Sequence, residues 1–248
     1  MRTVIIFLTH KSDEKILEQI NKLHCEVMYN ADFYVGYQFD KTRLDLPINI
    51  KKFPFTIEDL NSLGYYSWNY SLMDGNMHLI LLKFFETHPQ YDYYWLIEYD
   101  VRFNGNWETF FTYFERENAD FASAHIETYN ENPSWPRWNE YDIVNLPINK
   151  GDLLKSFNPI FRVSNKALSL LKTRALLGDK GHFEILLPTI FNYFNLKIID
   201  FGGVGRYSNK QLPNLFYVNS YSICTHRFRP IFQERTMVIP NMIYHPVK

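Results

Sequence analysis

The sequence reads Tyr93-Tyr94-Trp95-Leu96-Ile97-Glu98-Tyr99-Asp100 at the point that is most typical of a β-strand. The residues that open this stretch are bulky and apolar and include no turn former, which predicts a buried strand. Residues two apart on a strand point to the same face, so we expect Glu98 and Asp100 to project together while Tyr99 faces away. In an open parallel sheet, ligands bind at this carboxyl edge.

The amino-terminal part of the chain has the pattern of a β-α-β unit. A continuous apolar run from Val4 to Leu8 predicts a strand that is covered on both faces, and Ser12 is expected to cap the helix that follows. Apolar residues then recur at helical spacing before a second extended stretch begins near Glu26. These elements favour an α/β fold, a single Rossmann-like domain with a mostly parallel central sheet flanked by helices.

The chain of 248 residues is long enough for one large α/β domain, and no stretch of it resembles a linker. We expect a single domain, 1–248, with two functional halves, about 1–126 and about 127–248. The second half begins with a segment, 127–149, that is rich in Asn, Pro and Trp and has no sustained periodicity. Long loops of this kind usually have a functional reason.

Composition excludes several classes of function. The formal net charge of -1 gives no sequence-wide attraction to nucleic acid, and the only compact basic stretch is His226-Arg227-Phe228-Arg229. Cys25 and Cys224 are far apart and have no CxxC partner, so we expect neither a zinc site nor a disulfide, and a reducing cytoplasm is the simplest location. No apolar stretch approaches the roughly 20 residues of a membrane span.

The acidic pair predicts a metal site. Two carboxylates that converge at a strand end repel each other unless a hard cation lies between them, and Mg²⁺ or Mn²⁺ completes its shell with water and substrate phosphate. The alternative is an exposed acidic strand end with Arg102 as an ion-pair partner. The apolar strand that precedes Glu98 favours the metal site.

The segment from Tyr91 to Trp107 resembles the signature of GT-A fold glycosyltransferases, with Glu-x-Asp in the place of their DxD motif. Three later segments, 158–165, 181–184 and 245–248, are similar in order and spacing to the acceptor half of such enzymes. The resemblance implies a GT-A domain in which 1–126 binds a nucleotide-diphospho-sugar and 127–248 binds the acceptor. Because Glu98 is one methylene longer than Asp, it is open whether Glu98 contacts the metal or only the ribose.

The resemblance also implies the roles of residues around the donor. Asp100, Glu98 and His245 would bind Mn²⁺ or Mg²⁺, with His226 as the competing histidine, and Lys248 and Arg227 would contact the diphosphate. The positions that face the nucleotide would be Thr9, Asp74, Gly75 and Asn76, although a helix start alone would also explain the last three.

Glu184 is the candidate general base of the acceptor half. It stands at the start of an apolar helix, where the helix dipole favours an ionised carboxylate, and inverting GT-A enzymes have their base in a comparable position. The alternatives are that Glu184 only caps the helix, or that His182 in the same turn is the base.

Three aromatic residues of the long loop, Trp135, Trp138 and Tyr141, are candidates for stacking on an acceptor sugar. Packing in the core is the alternative for each of them.

The function that the resemblance implies is metal-dependent transfer of a sugar, with inversion, from a nucleotide-diphospho-sugar to a hydroxyl of a saccharide or glycolipid, as in polysaccharide biosynthesis. Such an enzyme would work in the cytoplasm or in peripheral contact with the inner face of the membrane. One alternative is a nucleotidyltransferase. Such an enzyme is expected to have a glycine-rich phosphate loop after the first strand, but this chain has Thr9-His10-Lys11 there, which argues against that function. The other is a saccharide-binding domain without activity.

Overall fold

The computed structural model describes residues 1–42, 44–68, 75–220 and 223–248. The strands of the described residues are β1 (Thr3–Leu8), β2 (Asp32–Gln38), β3 (Lys51–Phe55), β4 (Tyr93–Glu98), β5 (Arg102–Phe103), β6 (Phe121–Thr128), β7 (Tyr141–Asp142), β8 (Leu154–Ser164), β9 (Lys180–Gly181), β10 (Ile198–Asp200) and β11 (Ile243–Tyr244). The α-helices are α1 (Glu14–Val27), α2 (Ile57–Asn61), α3 (Met77–Thr87), α4 (Trp107–Glu115), α5 (Asn165–Leu176) and α6 (Phe183–Tyr193).

The central sheet has seven strands in the order β10-β6-β8-β4-β1-β2-β3. All neighbouring strands are parallel except that β8 runs antiparallel to both β4 and β6. The predicted α/β fold, with a mostly parallel central sheet flanked by helices, is therefore confirmed. Strand β8 belongs to the second half of the chain but pairs with two strands of the first half, so one continuous sheet joins the two halves.

Strand β4 lies at the centre of the sheet and is covered on both faces. Tyr94 and Leu96 pack on the side of α3, α5 and α6, whereas Trp95 and Ile97 pack on the side of α1 and α4. Each of these four side chains is at most 1% exposed. Burial on both faces explains why the sequence of β4 is continuously apolar instead of alternating.

Two local expectations are corrected. Helix α1 is capped by Asp13, not by Ser12, because the carboxylate Oδ1 of Asp13 accepts a hydrogen bond from Ile16 N at 3.3 Å. The second extended stretch, expected near Glu26, begins at Asp32 as β2, because α1 continues to Val27.

Among the described residues, no helix combines the length and the apolar character needed to cross a bilayer.

Candidate active site

The acidic pair lies at the carboxyl edge of β4, as the sequence predicts. Glu98 is the last residue of β4 and pairs with Leu8, the last residue of β1. Asp100 follows in the turn, where its carbonyl oxygen accepts a hydrogen bond from Val247 N at 2.9 Å. The carboxy-terminal segment is thus bound directly to the acidic strand end.

His245 reaches the acidic pair through a short sheet. It follows β11, which pairs with β5 in antiparallel register, Tyr244 opposite Arg102. Its ring nitrogen Nδ1 lies 2.9 Å from the carbonyl oxygen of Arg227, and since a carbonyl only accepts, Nδ1 carries the hydrogen. In the neutral ring, the lone pair of Nε2 then faces Asp100 Oδ1, 3.4 Å away.

Glu98, Asp100 and His245 form a set of potential metal ligands. Each offers one atom, and these atoms all lie within 4.8 Å of one another. Asp100 Oδ1 is buried, and within the described residues it has no hydrogen-bond partner. Two carboxylates and an imidazole are compatible with Mn²⁺ or Mg²⁺, so the residues fit the cation that the sequence predicts.

Electrostatics separate the two carboxylates. Burial, together with the nearby charges of Asp100 and Glu184, raises the pKa of Glu98 to about 8. Burial also disfavours the charged form of Asp100, but when the His245 ring is protonated, its Nε2–H and its charge, together with the charge of Lys248, hold the pKa of Asp100 below its ordinary value. A bound cation would favour the ionised form of both groups.

His226, the competing histidine, lies beside His245 rather than in the ligand set. The two residues form a β-bridge, and their ring centroids are 5.7 Å apart. His226 is fully buried among the rings of His125 and Phe157, and within the described residues neither of its ring nitrogens has a hydrogen-bond partner. Burial, together with the charges of His245 and His125, lowers its pKa well below the ordinary value.

Basic residues surround the acidic pair. The charge of Lys248 acts on both Asp100 and His10, which places the last residue of the described chain at the site. Lys11, which the sequence analysis did not select, has its Nζ 5.1 Å from the centre of the Tyr99 ring. The sequence signal that could have identified Lys11 was its position shortly after the end of β1.

Thr9 follows β1 at the same edge of the sheet. Its hydroxyl accepts a hydrogen bond from Lys11 N and donates one to the carbonyl oxygen of Lys11, both at 2.9 Å. These bonds fix the turn that carries Lys11.

The residues before α3 lie next to the start of α6. Gly75 has φ of +95°, and its carbonyl oxygen accepts a hydrogen bond from Phe183 N at 2.8 Å. The side chain of Asn76 is buried and joins the backbone of Trp68, accepting from its N–H at 2.8 Å and donating to its carbonyl. Asp74, the third residue predicted here, lies outside the described residues.

His182 and Glu184 occupy different roles at the start of α6. His182 is the N-cap: it is buried, and its Nδ1 accepts a hydrogen bond from Glu184 N at 3.3 Å. Burial lowers the pKa of His182 to about 3, so the ring is neutral and the lone pair of Nδ1 is occupied. The Glu184 carboxylate accepts a hydrogen bond through Oε1 from Asn158 N at 3.3 Å, and its Oε2 lies 3.8 Å from His182 Nδ1.

Glu184 lies in the wall of an open pocket of about 170 Å³. Burial raises its pKa to about 7, against the opposing effects of the Asn158 hydrogen bond and the charge of Lys155. Such a carboxyl exchanges its proton near neutral pH, as a general base must. The lining of the pocket consists of His125, Trp135, Lys155, Ser156, Phe157, Glu184, Cys224, His226, Arg227 and Phe228.

Lys155 is a pocket residue that the sequence analysis missed. Its ammonium group lies 2.8 Å from Glu127 Oε2 and 5.8 Å from the centre of the Trp135 ring. Lys155 and Phe157 are two residues apart on β8, a spacing that indicates that their side chains share one face of the sheet but does not indicate a pocket.

The structure separates the three candidate stacking residues. Trp135 lines the pocket and is partly exposed. Trp138 is only 4% exposed and donates from Nε1 to the carbonyl oxygen of Asn132 at 2.7 Å, so it packs the interior of the loop and offers no free face to a sugar. Tyr141 lies in β7, paired with Gly181 of β9, and is partly buried.

Comparison with known proteins gives no match to a family model and no match to a curated protein. Solved structures of other proteins resemble the chain. A glycosyltransferase involved in the glycosylation of the major capsid of PBCV-1 aligns with 70% of this chain at 13% identity and a TM-score of 0.35, and the chain covers 64% of its length, less than two thirds. The galactosyltransferase LgtC in complex with donor and acceptor sugar analogues, and an active-site mutant of LgtC, each align with 81% of this chain and 73% of their own, at 10% and 9% identity, both with a TM-score of 0.43.

Proposed function

We propose that this chain is a glycosyltransferase of GT-A type that uses Mn²⁺ or Mg²⁺ to transfer a sugar from a nucleotide-diphospho-sugar to a hydroxyl group of a saccharide or glycolipid. The observation that carries the proposal is the convergence of Glu98, Asp100 and His245 at the carboxyl edge of the central strand. Close to this set is a pocket whose wall contains Glu184, a carboxyl group of raised pKa.

The acidic cluster supports a cation instead of a plain ion pair. In the neutral ring, His245 keeps its Nδ1–H on the Arg227 carbonyl, which leaves the Nε2 lone pair facing an oxygen of Asp100 that has no hydrogen-bond partner in the described chain. Two acceptors in contact are stabilised by a cation between them. When bound, the cation supplies electrostatic stabilisation of the diphosphate.

The basic residues of the same edge complete the donor site. Lys248 lies close enough to Asp100 to influence its pKa, and Arg227 lies in the pocket wall. An ammonium and a guanidinium at these places would bind the diphosphate and offset the negative charge that grows on it as the sugar leaves. Thr9, Gly75 and Asn76 would shape the nucleotide side of the site.

Glu184 is the residue that we assign to proton transfer. Glu184 lines the pocket, and because its pKa is about 7 it can accept the proton of an acceptor hydroxyl. The hydroxyl oxygen then bonds to the anomeric carbon while the bond from that carbon to the diphosphate oxygen breaks. A direct displacement of this kind inverts the anomeric configuration. His182 is a cap and stays neutral, so we assign it the role of positioning Glu184.

The pocket has the character that a sugar requires. Rings of Trp135, Phe157 and Phe228 offer apolar faces, while Ser156 and Glu184 offer hydrogen-bonding groups. We propose Trp135 as the stacking residue for the acceptor. The protein would act in the cytoplasm, as in polysaccharide biosynthesis; its two cysteines, Cys25 and Cys224, are both free thiols.

Ligand-dependent thermal stability tests the donor site. A panel of nucleoside diphosphates is added with Mn²⁺, with Mg²⁺ or with a chelator, and a compound that binds the native state raises the melting temperature. We expect one base to give a shift that needs the cation and that Asp100→Asn abolishes, while the matched surface variant Asp142→Asn retains it; Asp142 is 59% exposed. A cation-independent shift, or none with any base, would contradict the proposal.

Product analysis then separates the classes of function. Release of nucleoside diphosphate from a nucleotide sugar indicates a transferase, formation of a nucleotide sugar with pyrophosphate indicates a nucleotidyltransferase, and binding without turnover indicates a saccharide-binding domain. The anomeric configuration of the product, measured by NMR, decides whether transfer inverts.

A further inference from the structure

The carboxy-terminal part of the chain is basic although the whole protein is nearly neutral. Residues 204–248 contain six Lys or Arg and a single Asp or Glu, Glu234, whereas the full chain has 26 basic and 27 acidic residues. Charge concentrated on one segment attracts an anionic surface even when the net charge does not. A sequence-wide net charge of -1 conceals this asymmetry.

Exposed apolar side chains alternate with the basic ones at 227–231. Phe228 is 73% exposed and Ile231 is 44% exposed. The sequence of this stretch is Arg227-Phe228-Arg229-Pro230-Ile231, so each apolar residue stands close to a basic one. Ile223, 48% exposed, stands just before this stretch. We call residues 227–231 the rim. A single exposed apolar residue is ordinary, but several on one basic segment indicate a contact surface.

Hydrogen bonds join the rim to the candidate active site. Arg227 N donates to the carbonyl oxygen of His245 at 3.1 Å, and Arg227 Nε donates to the carbonyl oxygen of Pro230 at 3.1 Å, which closes the stretch into a compact turn. Phe232 N donates to the carbonyl oxygen of Pro246 at 2.7 Å. Since Phe228 also lines the pocket of Glu184, whatever the rim contacts lies at the mouth of that pocket.

We propose that the rim docks on an anionic lipid surface and so presents the pocket to an acceptor carried by the membrane. The assignment of the acceptor as a glycolipid rests on the proposed transferase function; the docking itself does not. The Arg229 guanidinium contacts lipid phosphate while the Phe228 and Ile231 side chains enter the boundary between headgroups and acyl chains. A polyanion in solution would engage Arg229 equally well but would leave Ile231 without a partner.

Vesicle binding tests the docking. Purified protein is sedimented with vesicles of phosphatidylcholine alone, and with vesicles in which about a third of the lipid is phosphatidylglycerol, at low and high salt. We expect binding to the anionic vesicles only, weakened by salt. Arg229→Gln should weaken it by about fivefold, the effect of one basic residue near a charged surface, and Ile231→Ser by about fivefold or more through loss of inserted apolar area.

Ile48→Ser is the matched control, because Ile48 is fully exposed but lies outside the basic segment. This variant should bind the anionic vesicles like the unmodified protein. Equal losses for Ile48→Ser and Ile231→Ser would overturn the role of the rim. Binding to soluble heparin that depends on Arg229 but not on Ile231, without binding to vesicles, would assign the rim to polyanions and overturn the proposal.

Donor hydrolysis without vesicles distinguishes this proposal from the proposed function. Ile231→Ser should hydrolyse the nucleotide sugar at the unmodified rate in solution while losing vesicle binding. A protein that hydrolyses the donor but ignores anionic vesicles refutes only the docking. A protein that binds the vesicles through Ile231 but never binds a nucleotide refutes only the transferase function.

Discussion

Nε2 of His245 lies 3.4 Å from Oδ1 of Asp100, although one residue follows a central strand and the other stands three residues from the end of the sequence. Main-chain bonds on both sides maintain the relationship: Val247 N donates to the Asp100 carbonyl at 2.9 Å, and His245 N donates to the Thr225 carbonyl at 3.0 Å. The metal site that we propose is therefore built partly by the carboxy terminus.

The first prediction concerns Asp100→Asn. We expect this variant to lose transfer and cation-dependent nucleotide binding and to keep its fold, since the amide replaces a ligand oxygen without changing the volume of the side chain. Glu98→Gln should have a milder effect. Calorimetric titration with Mn²⁺ and nucleoside diphosphate measures binding, and circular dichroism checks the fold.

Asp142→Asn again serves as the control for removal of one surface carboxylate. If Asp100→Asn kept the activity of the unmodified protein, the metal hypothesis would be refuted. If instead Glu98→Gln proved the more damaging variant, Glu98 would be the principal ligand.

The second prediction separates metal binding from stability in the carboxy-terminal segment. Deletion of 245–248 removes Val247, which is only 2% exposed, and the main-chain hydrogen bonds that His245 and Val247 donate, so we expect a stability loss of more than about 2 kcal/mol in addition to loss of activity. His245→Gln should keep the melting temperature near that of the unmodified protein and weaken Mn²⁺ binding by more than about tenfold. If the deletion variant kept full activity, His245 would not be a metal ligand.

Much of the fold and the acidic edge could be predicted from the sequence. The apolar run of β4 and the β-α-β opening indicate a parallel sheet, because strands buried on both faces leave a continuous apolar signature. Two carboxylates at the end of such a strand repel each other, and a bound cation relieves this repulsion. The strand pattern placed Glu98 at this edge, whereas Asp100 lies in the turn after β4, where its carbonyl oxygen accepts from Val247 N.

The rest depends on contacts between distant segments, which leave no local pattern. The pocket of Glu184 is formed by β6, β8 and 224–228 together, and only the assembled sheet brings these segments side by side. Trp135 and Trp138 look alike in sequence, yet one lines the pocket and the other fills the loop interior. His182 became a cap because the start of α6 needs an acceptor for the free N–H of Glu184.

The third prediction uses this difference between the two tryptophans. Trp138→Ala should lower the free energy of unfolding by about 3 kcal/mol, because it empties a buried site. Trp135→Ala should leave the melting temperature nearly unchanged and raise the Michaelis constant for the acceptor. Urea denaturation and acceptor kinetics check the two effects, and a purely structural loss in both variants would exclude Trp135 from the acceptor site.

The fourth prediction concerns Gly75→Ala, which should destabilise the protein by about 1 to 3 kcal/mol. Residue 75 has φ of +95°, and an added Cβ would lie 2.3 Å from the His182 ring. Pressure on the His182 cap should also lower turnover by displacing Glu184. Gly151→Ala is the matched control, because no atom lies within 4 Å of its added Cβ; equal melting temperatures for the two variants would contradict the close packing of Gly75 on His182.

The last prediction concerns Glu184, whose pKa burial raises from the ordinary 4.5 to about 7. As a base it must be ionised, so turnover should fall as the pH drops through about 7. Glu184→Gln should lower turnover by roughly 10²- to 10⁴-fold at pH 8 with little change in donor affinity, and it should abolish that acid limb. Kinetics and donor binding measured across the same pH range check both effects.

The stability of the folded protein should change with pH in the direction opposite to the change in turnover. The folded protein holds a proton on Glu184 that the unfolded chain has already released, so stability falls as the pH rises from about 4.5 to about 7. Above that range Glu184→Gln carries no buried charge, and its melting temperature should exceed that of the unmodified protein, whereas near pH 4 the two should agree. A buried base produces both the kinetic loss and this gain, while a helix cap would produce a stability loss alone. An unchanged turnover with lower stability in Glu184→Gln would therefore reduce Glu184 to a structural residue.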